Sequence, residues 1–371
     1  MHKSPNLVLI SLLLIFSNCS KEPTYTEETI DGVRYVHNFS PLWGEEQRIS
    51  LEFVRQVGEL ENADENYLFF QPRDLEVDNY GNIYILDTGN YRIQKFDPGG
   101  RYLITIGSKG EGPGEFLTTS CIQIDKDNNL LYVSNFRKRI LIVFSLEGEY
   151  IKDISTQYMI RKFLLNANDT ILSDDITSSY QRHAREGLED EMYLFGTYDM
   201  NGNFKSEFGK SIDLGNRIST WEGNLISFAV DEEGFIFTSF IRQNRIEKYS
   251  PDGTLLFHSD RELNFDWKIY EYDIDVGDGR TERRKRAMLT STGAALDSKN
   301  RFWVGTVLTE NYKPADVYKN IIFEIYNEDG ILLQSMPVPV YFSYMKIFGD
   351  KLYLLDTLDN MCVYVYRIIE R

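Results

Sequence analysis

The sequence contains little histidine and cysteine, and it has more acidic than basic residues. Only four histidines and three cysteines occur among 371 residues, and their spacing does not match that of zinc ligands or of a disulfide framework. The composition therefore argues against zinc enzymes and disulfide-stapled folds. Forty Lys and Arg against 57 Asp and Glu give a net charge of −17. Such a surface repels phosphate backbones, so no nucleic-acid partner is expected.

The N-terminus indicates an export signal. Residues 7–16 (LVLISLLLIF) form an apolar run behind the basic His2 and Lys3, and this run is too short to span a bilayer, which takes about 20 residues. The following segment, Phe-Ser-Asn-Cys, resembles a bacterial lipobox, in which the cysteine is lipidated. We predict a signal peptide over residues 1–18, lipidation at Cys19 and a flexible tether over residues 19–41. A secretory signal with an unmodified Cys19 is the alternative.

A repeated pattern of short strands and turns fills the rest of the chain. Residues 72–107 alternate apolar and polar positions between turns at 78–81, 87–90 and 97–100, which is typical of an antiparallel meander. The turn and strand residues Gly81, Tyr84, Phe96 and Gly100 recur as Asn129, Tyr132, Phe144 and Gly148, and Gly81, Arg92, Pro98 and Gly100 recur as Gly234, Arg245, Pro251 and Gly253. Less regular copies surround residues 168–202, 299–330 and 340–369. The sequence therefore contains six units.

Six four-stranded units predict an all-β protein, a six-bladed β-propeller over residues 42–371 with antiparallel blades. The last unit lacks its outer strand, and residues 48–58 can supply it by pairing with residues 363–367. This pairing of the N-terminal strand with the C-terminal blade closes the ring and removes an open sheet edge. Insertions are expected in units three and five, between their second and third strands. The insert at 181–192 is expected to be a short helix or a flap, and a long connection is expected at 260–288.

The first unit resembles the NHL-repeat six-bladed β-propellers. The matching residues are Pro72, the turn at 78–84 (DNYGNIY), the segment at 87–93 (DTGNYRI), Gly100 and the connector at 107–116 (GSKGEGPGEF). Together with the lipobox, the chain resembles the lipid-anchored propeller family of the Gram-negative cell envelope. This resemblance implies an outer-membrane lipoprotein that faces the periplasm or the cell surface, and it implies little about chemistry.

Candidate ligand-binding residues lie on the loops between the second and third strands and on the connectors between blades, because these open on one face. Asp87, Asn90 and Arg92 belong to the repeat itself, where a turn-holding role competes with ligand binding. Side chains that differ between units are the better candidates. The predicted ligand-binding set is Arg73, Asp87, Asn90, Arg92, Arg137, Tyr180, Trp221, Arg242 and Asp356.

Three further features receive structural interpretations. The glycine run at 107–114 lacks the context of a phosphate-binding loop and is predicted to connect two blades. The basic cluster at 280–286 (RTERRKR) is predicted to be a solvated loop that pairs with Glu271, Asp273, Asp275 and Asp278. Cys121 and Cys362 fall in units that are not neighbours, so both are predicted to be buried thiols without a disulfide.

These observations predict an exported, lipid-anchored binding or scaffold protein that recognises a peptide, a glycan or an envelope protein on the loop side of the propeller. The lipid anchor makes the membrane its other partner. The alternative is an enzyme at the mouth of the central channel, either a divalent-cation-dependent hydrolase or lactonase or a lyase. The many acidic side chains leave a hard cation such as Ca²⁺ open as its cofactor. No catalytic residue stands out, because nothing marks His183 or His258.

Overall fold

Six antiparallel β-sheets, the blades, follow one another around a central channel. The structure is a computed structural model, and it describes residues 22–61, 64–166, 170–186, 192–214, 217–277, 279–309 and 320–371. Within these ranges no helix is both long enough and apolar enough to cross a membrane. The expected all-β, six-bladed propeller is confirmed.

The first half of the chain contains three N-terminal strands and two complete blades. The N-terminal strands are β1 (Tyr25–Ile30), β2 (Val33–Asn38) and β3 (Ile49–Val57). Blade 1 consists of β4 (Pro72–Val77), β5 (Ile83–Asp87), β6 (Arg92–Phe96) and β7 (Tyr102–Ile106). A connector with the short parallel strands β8 (Ser108–Lys109) and β9 (Glu115–Phe116) leads to blade 2. Blade 2 consists of β10 (Thr119–Asp125), β11 (Leu130–Asn135), β12 (Ile140–Ser145) and β13 (Tyr150–Ser155).

The second half contains four blades, two helices and an inserted hairpin. Blade 3 has β14 (Phe163–Asn166), β15 (Thr170–Asp174), β16 (Tyr193–Asp199) and β17 (Phe204–Lys210), with α1 (Ile176–Glu186) between β15 and β16 and α2 (Arg217–Gly223) after β17. Blade 4 has β18 (Ile226–Val230), β19 (Ile236–Phe240), β20 (Ile246–Tyr249) and β21 (Leu255–Arg261). The hairpin strands are β22 (Ile269–Asp275) and β23 (Thr281–Ala287). Blade 5 has β24 (Ser291–Leu296), β25 (Phe302–Val307), β26 (Ile321–Tyr326) and β27 (Leu332–Pro337), and blade 6 has β28 (Tyr344–Phe348), β29 (Lys351–Asp356) and β30 (Cys362–Glu370).

The second strand of a blade is buried on both faces, because a neighbouring blade packs on each side of it. Every residue of β5, β19 and β25 is buried, whereas most of the outer strand β13 is exposed. Six apolar clusters fill the spaces between successive blades. The cluster between blades 1 and 2, for example, contains Tyr84, Ile93 and Phe116. In the described part of the chain, the core is thus a ring of interfaces around the channel.

The repeated turn residues have specific structural roles. Asp78 accepts a hydrogen bond from the backbone N–H of Asn82 at 2.9 Å, and Gly81 adopts a φ of +80°, which glycine tolerates without strain. Gly107 also has a positive φ, and a Cβ added to it would lie 2.4 Å from the ring of Phe116. The spaced Asp, Gly and Phe residues of the repeat are therefore dictated by turn geometry and by close packing.

The ring closes as the sequence predicts. Strand β3 pairs with β30 in antiparallel register, from Ile49 opposite Glu370 to Val57 opposite Val363. Blade 6 thereby receives its fourth strand from the N-terminal part of the chain. The closure satisfies the outer edge of β30, which would otherwise present unpaired N–H and C=O groups to solvent.

The predicted flexible tether over residues 19–41 is partly wrong. From Tyr25 to Asn38 the chain forms an antiparallel hairpin of β1 and β2, and β2 adds to blade 4 in parallel with β21. This blade therefore has six strands. The hairpin folds because Val36 is fully buried and because the amide of Asn38 donates to Ser259 Oγ at 3.0 Å. Cys19 and the predicted signal peptide lie outside the described residues.

The predicted solvated loop at 280–286 is also wrong as a secondary-structure assignment. Residues 281–287 form β23, which pairs with β22. The predicted ion pairs are confirmed in part, because Arg283 lies 3.1 Å from Asp273 and 3.8 Å from Glu271. Residues 281–287 form a strand because their side chains alternate between the side that faces α2 and the side that faces solvent. Asp278 lies outside the described residues.

The remaining structural predictions can be placed as follows. Residues 107–114 connect blades 1 and 2 as predicted. The first part of the insert at 181–192 belongs to helix α1, and residues 187–191 lie outside the described part. Residues 310–319, the insertion between β25 and β26, also lie outside it. Cys121 on β10 and Cys362 on β30 are both buried and are not disulfide-bonded.

Candidate functional site

The loops between second and third strands and the connectors between blades lie on one side of the ring, which we call the loop face. In blade 1 it comprises the loop at 87–92 and the connector at 107–118. In blades 3 and 4 it comprises α1, which joins β15 to β16, and α2, which joins β17 to β18. Antiparallel strands that alternate in direction require this arrangement. Helices α1 and α2 replace the short loops at these two positions and project from the loop face.

Asp87, Asn90 and Arg92 are brought together, but their polar groups are largely used by one another. Asp87 is fully buried and accepts hydrogen bonds from the backbone N–H of Phe70 at 2.7 Å, from Asn90 Nδ2 at 2.8 Å and from Arg92 Nε at 2.9 Å. Burial raises the pKa of Asp87, although these three donors oppose the shift. The trio therefore holds the loop of blade 1 together.

Asp356 has a similar structural environment in blade 6. Its carboxylate accepts backbone hydrogen bonds from Leu358 at 2.9 Å, Asp359 at 2.8 Å and Asn360 at 3.0 Å. Such a fully engaged carboxylate shapes the loop and has little capacity left for a ligand.

Arg73 and Arg137 are exposed and belong to neighbouring blades. Arg73 is at the start of the inner strand β4, at a register shift between Pro72 and Asp74. Arg137 lies in the loop between β11 and β12 of the next blade. The structure does not combine either residue with the other predicted side chains.

Tyr180 and Trp221 line a single cleft on the loop face. Tyr180 lies on α1 and Trp221 on α2, and the cleft between the two helices has a volume of about 340 Å³. Both rings also pack against the apolar cluster between blades 3 and 4, which fixes their position. The other lining residues are Arg161, Ile176, Thr177, Gln181, Met192, Arg217 and Ile218. Two of the predicted side chains thus belong to one site.

Two arginines give the cleft a positive charge. The Arg217 guanidinium lies 5.1 Å from the centroid of the Tyr180 ring, and that of Arg161 lies 5.3 Å from the centroid of Phe136. Neither guanidinium forms an ion pair with any other described residue, and no acidic side chain is among the described residues that line the cleft. Their N–H groups are available to a carboxylate, sulfate or phosphate group of a ligand.

A buried ion network holds α1 in place. Arg182 forms ion pairs with Asp175 and Glu207, and Tyr198 Oη donates to Asp175 at 2.8 Å. Burial raises the pKa of Asp175 to about 6, although Arg182 opposes the shift. Because these groups anchor the helix to the sheet of blade 3, the Tyr180 side of the cleft is preformed.

The inserted hairpin holds α2 from its other side. Arg286 forms a bidentate ion pair with Glu222, with both N···O distances at 2.9 Å. Ser219 Oγ donates to the backbone oxygen of Lys285 at 2.8 Å. Arg242 lies beside this hairpin, where its guanidinium donates to the backbone oxygen of Ala287 at 2.8 Å. Arg242 therefore contacts the hairpin and is not among the residues that line the cleft.

Asp174 is an acid that neighbours the cleft residue Arg161. It ends β15, and the neighbouring cations are Lys162 and Arg161. Burial raises the pKa of Asp174 to about 6, although both cations oppose the shift. Near neutral pH this carboxylate is mostly ionised and partly balances the positive charge of Arg161.

Sequence reasoning missed Arg161, Arg217 and Asp174. Arg161 lies two residues before β14, and Arg217 is the first residue of α2. The repeat is degenerate in this unit, so no spacing marked them. The only signal was the length of the insertions in this unit, which predicted extra structure on the loop face. Among the described residues, no three His, Cys, Asp or Glu side chains cluster as they would around a metal ion.

The comparisons with known proteins concern the fold. A family described as DUF5128, 6-bladed beta-propeller, matches residues 50–217. A protein of Bacteroides fragilis, named as a candidate exported protein, superimposes with a TM-score of 0.58 at 12% identity over 90% of this chain and 99% of its own. A DUF4221 family member from Bacteroides vulgatus superimposes with a TM-score of 0.55 at 12% identity over 87% of this chain and 99% of its own. The chain shares the six-bladed propeller fold with these proteins, and its chemistry has to be derived from its own residues.

Proposed function

We propose that the protein is an exported binding protein that recognises an acidic glycan in the cleft between α1 and α2. The observation that carries this proposal is the combination of Tyr180 and Trp221 with Arg161 and Arg217, whose guanidinium groups form no ion pair within 4.0 Å with a described residue. Aromatic rings provide a flat surface on which sugar rings pack, and guanidinium groups bind carboxylates or sulfates with two hydrogen bonds. Helices fixed by ion pairs reduce the ordering cost of binding.

The proposed location is the cell envelope, with Cys19 as the lipid anchor. Only residues 20–24 separate Cys19 from the first described strand, and such a segment spans about 20 Å when fully extended. The outer edge of blade 4 would therefore lie near the bilayer, while the loop face opens to the side. We expect Cys19→Ser to release the protein from the membrane fraction. Retention of the Cys19→Ser protein in that fraction would refute lipid anchoring.

Direct binding measurements test the cleft. A fluorescently labelled trimer of galacturonic acid serves as the acidic probe, and the galactose trimer serves as its neutral counterpart. We expect the purified protein to bind the acidic probe with the higher affinity. Trp221→Ala is expected to weaken both interactions, because both sugars lose the stacking surface. Arg217→Gln is expected to weaken binding of the acidic probe alone, by roughly tenfold to a hundredfold, because a charge-assisted hydrogen bond is lost.

Matched variants outside the cleft serve as controls. Trp267, a partly exposed tryptophan on the connection after blade 4, is replaced by alanine, and Arg137, an exposed arginine of the loop face, is replaced by glutamine. Neither change should affect binding. Equal losses in control and cleft variants, or preferential binding of an acidic peptide over the sugar, would contradict an acidic-glycan site in this cleft.

A further inference from the structure

The central channel contains a cavity on the side opposite the loop face. The inner strands of all six blades line it, and its volume is about 260 Å³. It lies near the ends of these strands, because Lys126 directly follows β10 and Leu296 is the last residue of β24. The cavity is therefore separate from the cleft between α1 and α2.

The wall of this cavity has an apolar side and a charged side. Blades 3, 4 and 5 contribute apolar side chains, among them Leu164, Phe228, Ala229, Ala294 and Leu296. Blades 1, 2 and 6 contribute Glu76, Gln123, Lys126 and Lys346. A molecule that fills the space must have both an apolar part and a polar part.

The negative charge on the wall is already balanced. Glu76 is only 2% exposed, its carboxylate forms an ion pair with Lys346, and Gln123 Nε2 donates to its Oε1 at 2.8 Å. Glu76 and Lys346 therefore stabilise each other and leave no net charge for a ligand.

Lys126, in contrast, forms no ion pair within 4.0 Å with a described residue. Its ammonium lies 3.9 Å from the centroid of the Phe348 ring and forms no ion pair or hydrogen bond with any other described residue. The neighbouring acid Asp78 is engaged by Asn82 Nδ2 at 2.7 Å and by the Tyr84 hydroxyl at 3.2 Å. Burial, followed by the repulsion of Lys346, lowers the pKa of Lys126, although the attraction of Glu76 and Asp78 opposes the shift. A partly buried cation without an anion is unfavourable, and a bound anion would relieve this cost.

A second cation lies over the apolar side. The ammonium of Lys162 is 5.2 Å from the centroid of Phe228 and 5.7 Å from that of Tyr344, and both rings line the cavity. It too forms no ion pair with a described residue within 4.0 Å. Because Asp174 neighbours Lys162 and the buried Asp74 neighbours Lys346, Lys126 is the cation of this wall that an anionic ligand would meet.

We propose that the channel is a second ligand-binding site, which takes a small carboxylate with an apolar body. The carboxylate pairs with Lys126, and the body packs against the side formed by Phe228 and Ala229. An apolar ligand without charge would leave Lys126 unpaired, and a cationic ligand would be repelled by Lys126. This site does not depend on the function proposed for the cleft.

Calorimetric titration of the full folded domain tests the proposal. The probes are octanoate, 1-octanol and octylamine, which share one apolar body and differ in charge. We expect saturable one-to-one binding of octanoate, at least tenfold weaker binding of octanol and no binding of octylamine. Equal binding of the three probes, or no binding of octanoate, would overturn the proposal.

Three variants locate the site. Lys126→Gln should weaken octanoate binding at least tenfold and leave octanol binding unchanged, because only the counter-ion is lost. Lys152→Gln removes an exposed lysine from the outer strand β13 of the same blade and should bind octanoate normally. Ala229→Leu fills the cavity and should abolish binding of both probes. Circular dichroism confirms the folding of each variant, and if Ala229→Leu fails to fold, Ala294→Leu, which fills the same cavity from blade 5, replaces it and should also abolish binding. Octanoate binding that is unchanged in Lys126→Gln would disprove the site.

Discussion

His37 on β2 contacts one carboxylate of blade 4, Asp260 on β21, and one carboxylate of its own hairpin, Glu28 on β1. Its Nδ1 lies 3.0 Å from Asp260 and its Nε2 lies 3.3 Å from Glu28. Burial alone would lower the pKa of His37, but the hydrogen bonds to Asp260 and Glu28 outweigh this effect and raise it. The protonated imidazole thus donates to both acids. A single side chain makes the attachment of the hairpin sensitive to pH.

The raised pKa of His37 predicts that the hairpin is held most tightly in mildly acidic solution. Its contribution is complete below the ordinary histidine pKa of about 6.5 and is lost as the pH rises through the raised value. We expect amide hydrogens of β2 to exchange faster at pH 8.5 than at pH 6, after correction for the intrinsic rate. Mass spectrometry of hydrogen exchange measures this difference.

The matched variant for this prediction is His37→Gln. Its neutral amide keeps hydrogen-bonding capacity but does not titrate, so its corrected exchange in β2 should not change between the two pH values. The same pH dependence in wild type and His37→Gln would show that other groups control the attachment.

The degenerate unit shows where residue-level prediction succeeds and where it fails. Tyr180 and Trp221 could be singled out, because large aromatic side chains in insertions on the loop face have no role in the repeat. Arg161 and Arg217 could not, because their importance arises from the approach of α1 to α2, which is a tertiary contact. Asp87 shows the opposite error. In the sequence, a carboxylate on this loop is a reasonable ligand-binding candidate. In the structure, it accepts hydrogen bonds from its own loop instead.

Among the elements, the strands of regular blades were predictable, and added elements were predicted less well. Strands such as β5 combine an apolar run with an Asp and Gly turn on either side, and this pattern specifies both the strand and its ends. Strand β23 was missed because its charged residues alternate between ion pairs with β22 and contacts with α2. The composition of β23 resembles that of a solvated loop. Its strand conformation follows from pairing with β22, which the composition does not reveal.

The hairpin of β1 and β2 illustrates the same limit. Asp31 and Gly32 both have positive φ, and an Asp-Gly pair between short runs is a strong hairpin signal. The polar surroundings concealed it, because β1 is exposed along most of its length. The attachment of β2 to β21 is parallel and joins distant parts of the chain, and a sequence pattern does not encode such a contact.

Across the whole molecule, the N-terminal segment runs around the outside of three consecutive blades. The hairpin adds to blade 4, the backbone N–H of Leu42 donates to the backbone oxygen of Leu332 on blade 5 at 2.8 Å, and β3 completes blade 6. The closure by β3 was predictable because an unpaired sheet edge is unfavourable. The contacts with blades 4 and 5 were not, since those blades already have four strands of their own.

This arrangement predicts that β3 is essential for the ring and that the hairpin is dispensable. A protein that starts at residue 42 loses only β1 and β2, and blade 4 keeps its four strands, so it should remain monomeric and unfold cooperatively. A protein that starts at residue 58 also loses β3, which exposes the edge of β30 next to the buried residues Val363 and Val365. We expect this shorter protein to aggregate or to unfold at a temperature many degrees lower, because a free edge pairs with other chains. Light scattering and thermal unfolding of the two truncations provide the comparison, and a monomeric, equally stable protein without β3 would contradict closure by this strand.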